Sequence, residues 1–84
     1  MPKKYPPLTD TEVVAILIAL GFAYSHSSGG HDFYKAAHGG KHWTVTVDPH
    51  DSPYDAFLLK SMISQSGYSR EQFYRATKKT AKKI

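Results

Sequence analysis

The chain has 84 residues and a formal net charge of +4, with 11 lysine and arginine residues, 7 aspartate and glutamate residues and no cysteine. This length suits one small domain and excludes a large enclosed substrate cavity. The absence of cysteine excludes disulfides and cysteine-ligated zinc and fits a reducing compartment. The apolar run 13–20 is too short to span a bilayer, and residues 1–7 do not resemble a signal peptide, so we expect a soluble cytoplasmic protein with no membrane partner.

The first predicted element is a helix. Thr9 to Glu12 reads as a capping box, and Gly21 follows the last apolar residue as a stop signal. Between them, apolar residues recur at helical spacing and predict one buried stripe: Val13, Ile16, Leu17 and Leu20.

Three short strands follow, which we predict over residues 22–26, 31–36 and 42–48. In the first, Phe22, Tyr24 and His26 alternate with smaller residues and are expected on one face. In the third, Trp43 and Val45 share a face with Val47. Glycine pairs separate the strands, which predicts an antiparallel meander with one buried and one wet face.

Two helices are predicted to close the chain. Ser52 is placed as the N-cap of the first, with Pro53 at its first position and Gly67 after its end. Its expected apolar stripe is Phe57, Leu58, Met62 and Ile63. A second capping box, Ser69 to Gln72, begins a last helix that we expect to fray into the C-terminal lysines. The fold class is therefore α+β, in the order α-β-β-β-α(-α), with a three-stranded antiparallel sheet and helices packed on one face.

The basic residues are concentrated at the C-terminus, where six of the 11 lie within residues 70–84. Such a segment attracts phosphate backbones, but lysines also complement the negative end of a helix dipole. Both interpretations remain open from charge alone.

Five histidines are the main candidates for chemistry: His26, His31, His38, His42 and His50. Their spacing matches no zinc-binding motif, and none of the serines lies in a G-x-S-x-G elbow. His31 follows Gly29-Gly30, where a tight turn allows close approach to a ligand. An imidazole there could transfer one proton in RNA cleavage, in which the ribose 2′-hydroxyl is the nucleophile. An ordinary histidine at a strand edge is the simpler alternative.

The Gly29-Gly30-His31 step, the element order and the segment Gly67 to Phe73 together resemble the HicA family of toxin ribonucleases over about residues 8–74. The resemblance implies a double-stranded-RNA-binding-like fold and a metal-independent endoribonuclease that cleaves mRNA without a cofactor. It implies that His31 is the catalytic residue, and His50 is a secondary candidate. A HicB-type antitoxin is the implied partner, covering the His31 face.

On this basis we divide the chain into an N-terminal extension (1–7), a HicA-like domain (8–77) and a basic C-terminal tail (78–84). The expected RNA-binding residues are Gly29, Gly30, Lys35, Lys41 and Lys60. The family usually carries a Gly-Lys or Lys-Gly-Thr segment before its second long helix, whereas this chain has Pro53 to Leu58 without lysine. A non-catalytic RNA-binding domain, or a degenerate HicA-like interaction module, is therefore the alternative function.

Overall fold

The computed structural model describes residues 6–84, so Met1–Tyr5 of the predicted N-terminal extension lie outside the described residues. Its elements are listed here in chain order: α1 (Asp10–Ala19), β1 (Ala23–Ser28), β2 (His31–His38), β3 (Lys41–Val47), a 3₁₀ turn (Pro49–Asp51), α2 (Ala56–Ser66), α3 (Arg70–Arg75) and α4 (Lys78–Ala81). The three strands form one antiparallel sheet in the order β1-β2-β3. This confirms the α+β class and is consistent with a double-stranded-RNA-binding-like arrangement.

Both hairpins turn through glycine pairs, as predicted. Ser28 pairs with His31 across Gly29 and Gly30, whose φ angles are +60° and +83°. Positive φ at both central residues is the backbone of a type I′ turn, which suits the twist of a two-residue hairpin. The turn therefore fixes His31 as the first residue of β2.

A β-bulge interrupts the alternation that was predicted for the side chains of β1. Tyr24 pairs with Tyr34 and His26 pairs with Phe33, so one extra residue, Ser25, lies between two consecutive partner positions. A bulge of this kind moves the following side chain to the other face of the sheet. His26 is therefore on the face opposite Tyr24, and the prediction that the two share a face is wrong.

The core lies on one face of the sheet. Val13, Ile16 and Leu17 of α1 are fully buried, as the stripe predicted, and Thr9 and Glu12 form the predicted capping box. From the sheet, Tyr34, Val45 and Val47 are buried in the same cluster, and Trp43 packs against it half-buried. The predicted buried face of β3 is thereby confirmed.

The start of α2 differs from the prediction. Its N-cap is Asp55, whose side chain accepts a hydrogen bond from the backbone of Leu58, so the assignment of Ser52 and Pro53 to this helix start is wrong. Tyr54 instead forms an isolated β-bridge with Leu8, and the hydroxyl of Ser52 accepts from the backbone N–H of Asp10 at 3.0 Å. Ser52 thus contacts the N-terminus of α1, and the chain from Ser52 to Tyr54 is not helical.

The buried stripe of α2 also differs. It consists of Leu59, Met62, Ile63 and Ser66, whereas Phe57 is 80% exposed. Placing Phe57 in the stripe was wrong, because it is two residues, or about 200° around the helix, from Leu59 and so lies on the opposite side.

The C-terminus is more ordered than expected. Ser69 and Gln72 form the predicted capping box of α3, but the chain then begins a new helix, α4, with Thr77 as N-cap. Thr80 is buried and its hydroxyl donates to the carbonyl of Tyr74 at 2.6 Å. Lys83 pairs with the Glu12 carboxylate at 2.9 Å. The expected fraying is therefore wrong, since these contacts attach the last residues to α3 and α1.

Candidate active site around His31

His31 is held at the glycine turn beside a carboxylate. Its Nδ1 atom is buried and lies 3.6 Å from Oδ2 of Asp48, and it has no hydrogen-bond partner among the described residues. The side chain as a whole is 45% exposed. Because Nδ1 is enclosed, the exposed part of the ring includes the opposite edge, where Nε2 can meet a ligand.

Asp48 is itself fixed from two directions. Its Oδ1 accepts the backbone N–H of His50 at 2.9 Å, and its carbonyl accepts the hydroxyl of Tyr54 at 2.8 Å. Burial raises the pKa of Tyr54 to about 12, with a further contribution from neighbouring carboxylates including Asp48 and Asp51. Tyr54 therefore stays neutral and able to donate, so the position of Asp48 beside His31 is set by two hydrogen bonds.

A shallow cleft of about 190 Å³ opens between the end of β3 and α2. His31, Asp48, Asp51 and Tyr54 form one wall. Ser61 and Gln65 contribute polar groups from α2, and the Gln65 side chain accepts the backbone N–H of Thr46 at 3.0 Å. The cleft can admit a small polar group, with the imidazole as its proton-transfer group.

The structure brings together part of the predicted site. Gly29 and Gly30 form the turn before His31. A Cβ atom at Gly30 would lie 3.9 Å from the ring of His50, so both candidate histidines flank this turn. Described residues 6–84 contain no group of three or more metal-binding side chains.

The predicted lysines are spread over the surface. Lys35 is exposed on β2, four residues beyond His31, about 13 Å along the strand. Lys41 lies at the opposite end of the β2–β3 hairpin, about 23 Å along the strand, with its Nζ 6.0 Å from the Trp43 ring centroid. Lys60 is exposed on α2 and lines a different cavity with Phe57. Of the three, Lys35 lies on the strand that His31 begins.

Sequence reasoning missed Asp48 as a neighbour of His31. The segment Val47-Asp48-Pro49-His50 drew attention only to its histidine. The antiparallel register places Asp32 opposite Val47, so His31 and Asp48 are the next pair beyond it. That register was available in outline from the two glycine turns, but the bend at Pro49–Asp51 that aims the carboxylate was not.

The described residues contain no helix that is long and apolar enough to cross a membrane.

Comparison with models of known protein families finds a match over most of the chain. Residues 11–68 match the family described as the HicA toxin of bacterial toxin–antitoxin systems, whereas no curated protein and no solved structure matches the chain. The match covers the glycine turn, His31, Asp48 and all of α2, and ends before the capping box of α3. Since it covers well over half of the 84 residues, the chain belongs to the HicA toxin family of bacterial toxin–antitoxin systems.

Proposed function

We propose that this protein is the toxin of a type II toxin–antitoxin system and a metal-independent endoribonuclease that cleaves mRNA with His31 as its catalytic residue. The observation that carries the proposal is the enclosed Nδ1 of His31 beside Asp48, on a side chain that is 45% exposed next to a glycine turn. A side chain placed in this way can exchange a proton at Nε2 while its other nitrogen is kept oriented. Membership of a toxin family supports the same function.

In the proposed reaction, Nε2 of neutral His31 accepts the proton of a ribose 2′-hydroxyl. The 2′-oxygen attacks the adjacent phosphorus, the bond from phosphorus to the 5′-oxygen breaks, and that oxygen takes a proton from solvent. The products are a 2′,3′-cyclic phosphate and a 5′-hydroxyl end. No metal or cofactor is needed, because the substrate supplies the nucleophile and the imidazole supplies one proton transfer.

Asp48 is a positioning residue in this scheme. A carboxylate near Nδ1 favours the tautomer that carries its proton on Nδ1, which leaves Nε2 free to accept. It also stabilises the imidazolium formed when the 2′-hydroxyl is deprotonated. The apo distance of 3.6 Å is longer than a hydrogen bond and fits a contact that tightens when substrate binds.

The test is cleavage of a single-stranded RNA by purified protein in EDTA. His31→Ala is expected to lower the rate by about 10²- to 10⁴-fold, the usual contribution of general acid–base catalysis. His42→Ala is the matched control, because His42 is exposed on β3 near the far end of the β2–β3 hairpin, and we expect it to retain most activity. Unchanged cleavage by folded His31→Ala protein would refute the assignment.

A non-catalytic RNA-binding role is the second candidate, because the segment 53–58 before and at the start of α2 has no lysine. It predicts salt-sensitive binding without turnover. Deleting residues 78–84 is a poor test of this role, since the deletion also removes Thr80 from the core and Lys83 from Glu12. Substituting exposed lysines of the tail is the cleaner experiment.

A HicB-type antitoxin is the partner we propose, bound over the His31 face. A family of toxin–antitoxin systems implies an antitoxin, and covering the exposed edge of His31 would block proton transfer. Inhibition of cleavage by the co-expressed antitoxin, relieved when it is removed by denaturation and refolding of the toxin, is the expected result.

A further inference from the structure

The sheet has a second face that the proposed reaction does not explain. The buried face carries Tyr34, Val45 and Val47, so their neighbours along the strands point the other way. We call this the outer face and define it by residues His26, His31, Phe33, Lys35, Thr44 and Thr46. Each of these side chains is exposed or half-buried.

Two aromatic rings are stacked on the outer face. His26 of β1 and Phe33 of β2 are cross-strand partners, and their ring centroids are 4.8 Å apart with an interplanar angle of 16°. The β-bulge at Ser25 creates this pair, because without the extra residue His26 would point to the buried face. The hydroxyl of Ser25 also lies 3.0 Å from Nδ1 of His26 and orients its ring. Bulges are over-represented at sheet edges and next to active sites, where they re-aim a side chain.

The outer face also has an ordered series of functional groups along β2. His31, Phe33 and Lys35 alternate with inward-facing residues, so they lie in a row about 6.6 Å apart. The row begins with the group that can exchange a proton, continues with a stacking ring and ends with an exposed cation. These are the groups that a ribose, a base and a phosphate of one strand would need in succession.

We propose that the outer face binds single-stranded RNA, with an unpaired base stacked on the His26–Phe33 pair and the neighbouring ribose at His31. This rests on the proposed function for the role of His31. Lys35 then contacts a phosphate further along the strand. A duplex cannot bind in this way, because its bases are already stacked inside the helix, so the substrate class is unpaired RNA.

The experiment measures binding of a short single-stranded 2′-O-methyl RNA, which lacks the nucleophilic hydroxyl and cannot be cleaved. Phe33→Leu keeps an apolar side chain but removes the ring, and His26→Ala removes its partner. We expect Phe33→Leu to weaken binding about 5- to 150-fold, as for the loss of one stacked base. Phe33→Tyr retains a ring and should bind within about twofold of the unchanged protein.

Phe57→Leu is the matched control, because Phe57 is 80% exposed but lies on α2 away from the outer face. We expect it to change binding less than about twofold, and the RNA duplex of the same sequence to bind at least about tenfold more weakly than the single strand. Thermal melts of each variant check that the fold is retained.

The outcomes separate the two proposals. If folded Phe33→Leu and His26→Ala proteins bind the single strand as the unchanged protein does, the stacking surface is refuted, while His31-dependent cleavage can still hold. If Phe33 matters for binding but the unchanged protein does not cleave RNA, the nuclease proposal fails and the stacking surface stands. If Phe33→Leu weakens only the complex with the antitoxin, the outer face is a protein-binding surface and the RNA proposal is overturned.

Discussion

Replacing Asp48 with asparagine tests how the protein holds its proposed catalytic histidine. The substitution keeps the size of the side chain and its acceptor for the His50 backbone N–H, but removes the negative charge 3.6 Å from Nδ1 of His31. At that separation a unit charge pair is worth about 1 kcal/mol in water and about 5 kcal/mol at an effective dielectric constant of 20. Because nearly half of the His31 side chain is exposed, we place the effect in the lower part of this range, about 1–2 kcal/mol.

That energy corresponds to a fall of about 5- to 30-fold in cleavage rate. The loss should appear in kcat with little change in KM, because the imidazolium exists only along the reaction path. Asp51→Asn is the control, since it removes the same charge from the same wall of the cleft. We expect Asp51→Asn to have a smaller effect.

An independent measurement is the tautomer of His31, read from the nitrogen chemical shifts of its ring. With Asp48 present, the neutral ring should carry its proton on Nδ1, and Asp48→Asn should increase the fraction with the proton on Nε2. This readout needs no RNA and no turnover. Equal tautomer populations in the two proteins, together with an unchanged cleavage rate, would refute the positioning role.

Three further predictions concern the fold and the tail. Gly67→Ala should destabilise the protein by about 1–3 kcal/mol in chemical denaturation, because φ is +75° and a Cβ atom would lie 2.6 Å from the Trp43 ring. Gly21→Ala, which shares the positive φ but has open space around it, should cost less, and an equal cost would contradict the steric argument. Glu12→Gln should cost about 1–2 kcal/mol at neutral pH, since the backbone N–H of Thr9 and then Lys83 hold the pKa of Glu12 below its ordinary value. This stabilisation is present above the ordinary value and is lost as pH falls through the lowered pKa, so the two proteins should converge in acid; a constant difference would refute the assignment. Replacing three exposed lysines of the tail with glutamine, at Lys78, Lys79 and Lys82, should leave the melting temperature nearly unchanged and weaken RNA binding less than about threefold. A large loss of RNA binding would make the tail the main binding element.

Local sequence signals correctly predicted two helix starts and both hairpins. The capping boxes beginning at Thr9 and Ser69 fixed two helix starts, because each is a short reciprocal pattern of side-chain and backbone hydrogen bonds. The glycine pairs fixed both hairpins and placed His31 at the start of β2. Features determined by contacts within three or four residues were therefore readable from the sequence.

Features that depend on distant contacts were not. Ser52 followed by proline is typical of a helix start, yet Tyr54 pairs with Leu8. The hydroxyl of Ser52 accepts a hydrogen bond from the first residue of α1 instead. The bulge at Ser25 has no distinctive residue type, and its effect is visible only once β1 is paired with β2. In each case a partner at least seven residues away decides the local conformation.

The same contrast bears on how RNA would be recognised. Charge alone leaves open whether the basic tail binds phosphates or completes a helix end. In the structure Lys83 is paired with Glu12 and Thr80 is buried against α3, so this segment has a structural role. The carboxylate of Asp48 lies beside His31, and that of Asp51 lines the same cleft. These negative charges oppose a purely electrostatic attraction of RNA phosphates. An RNA strand that reaches His31 therefore needs affinity from uncharged contacts in addition to the phosphate contact proposed for Lys35. We propose that the stacked rings of the outer face provide such contacts next to His31 and select unpaired bases over duplex.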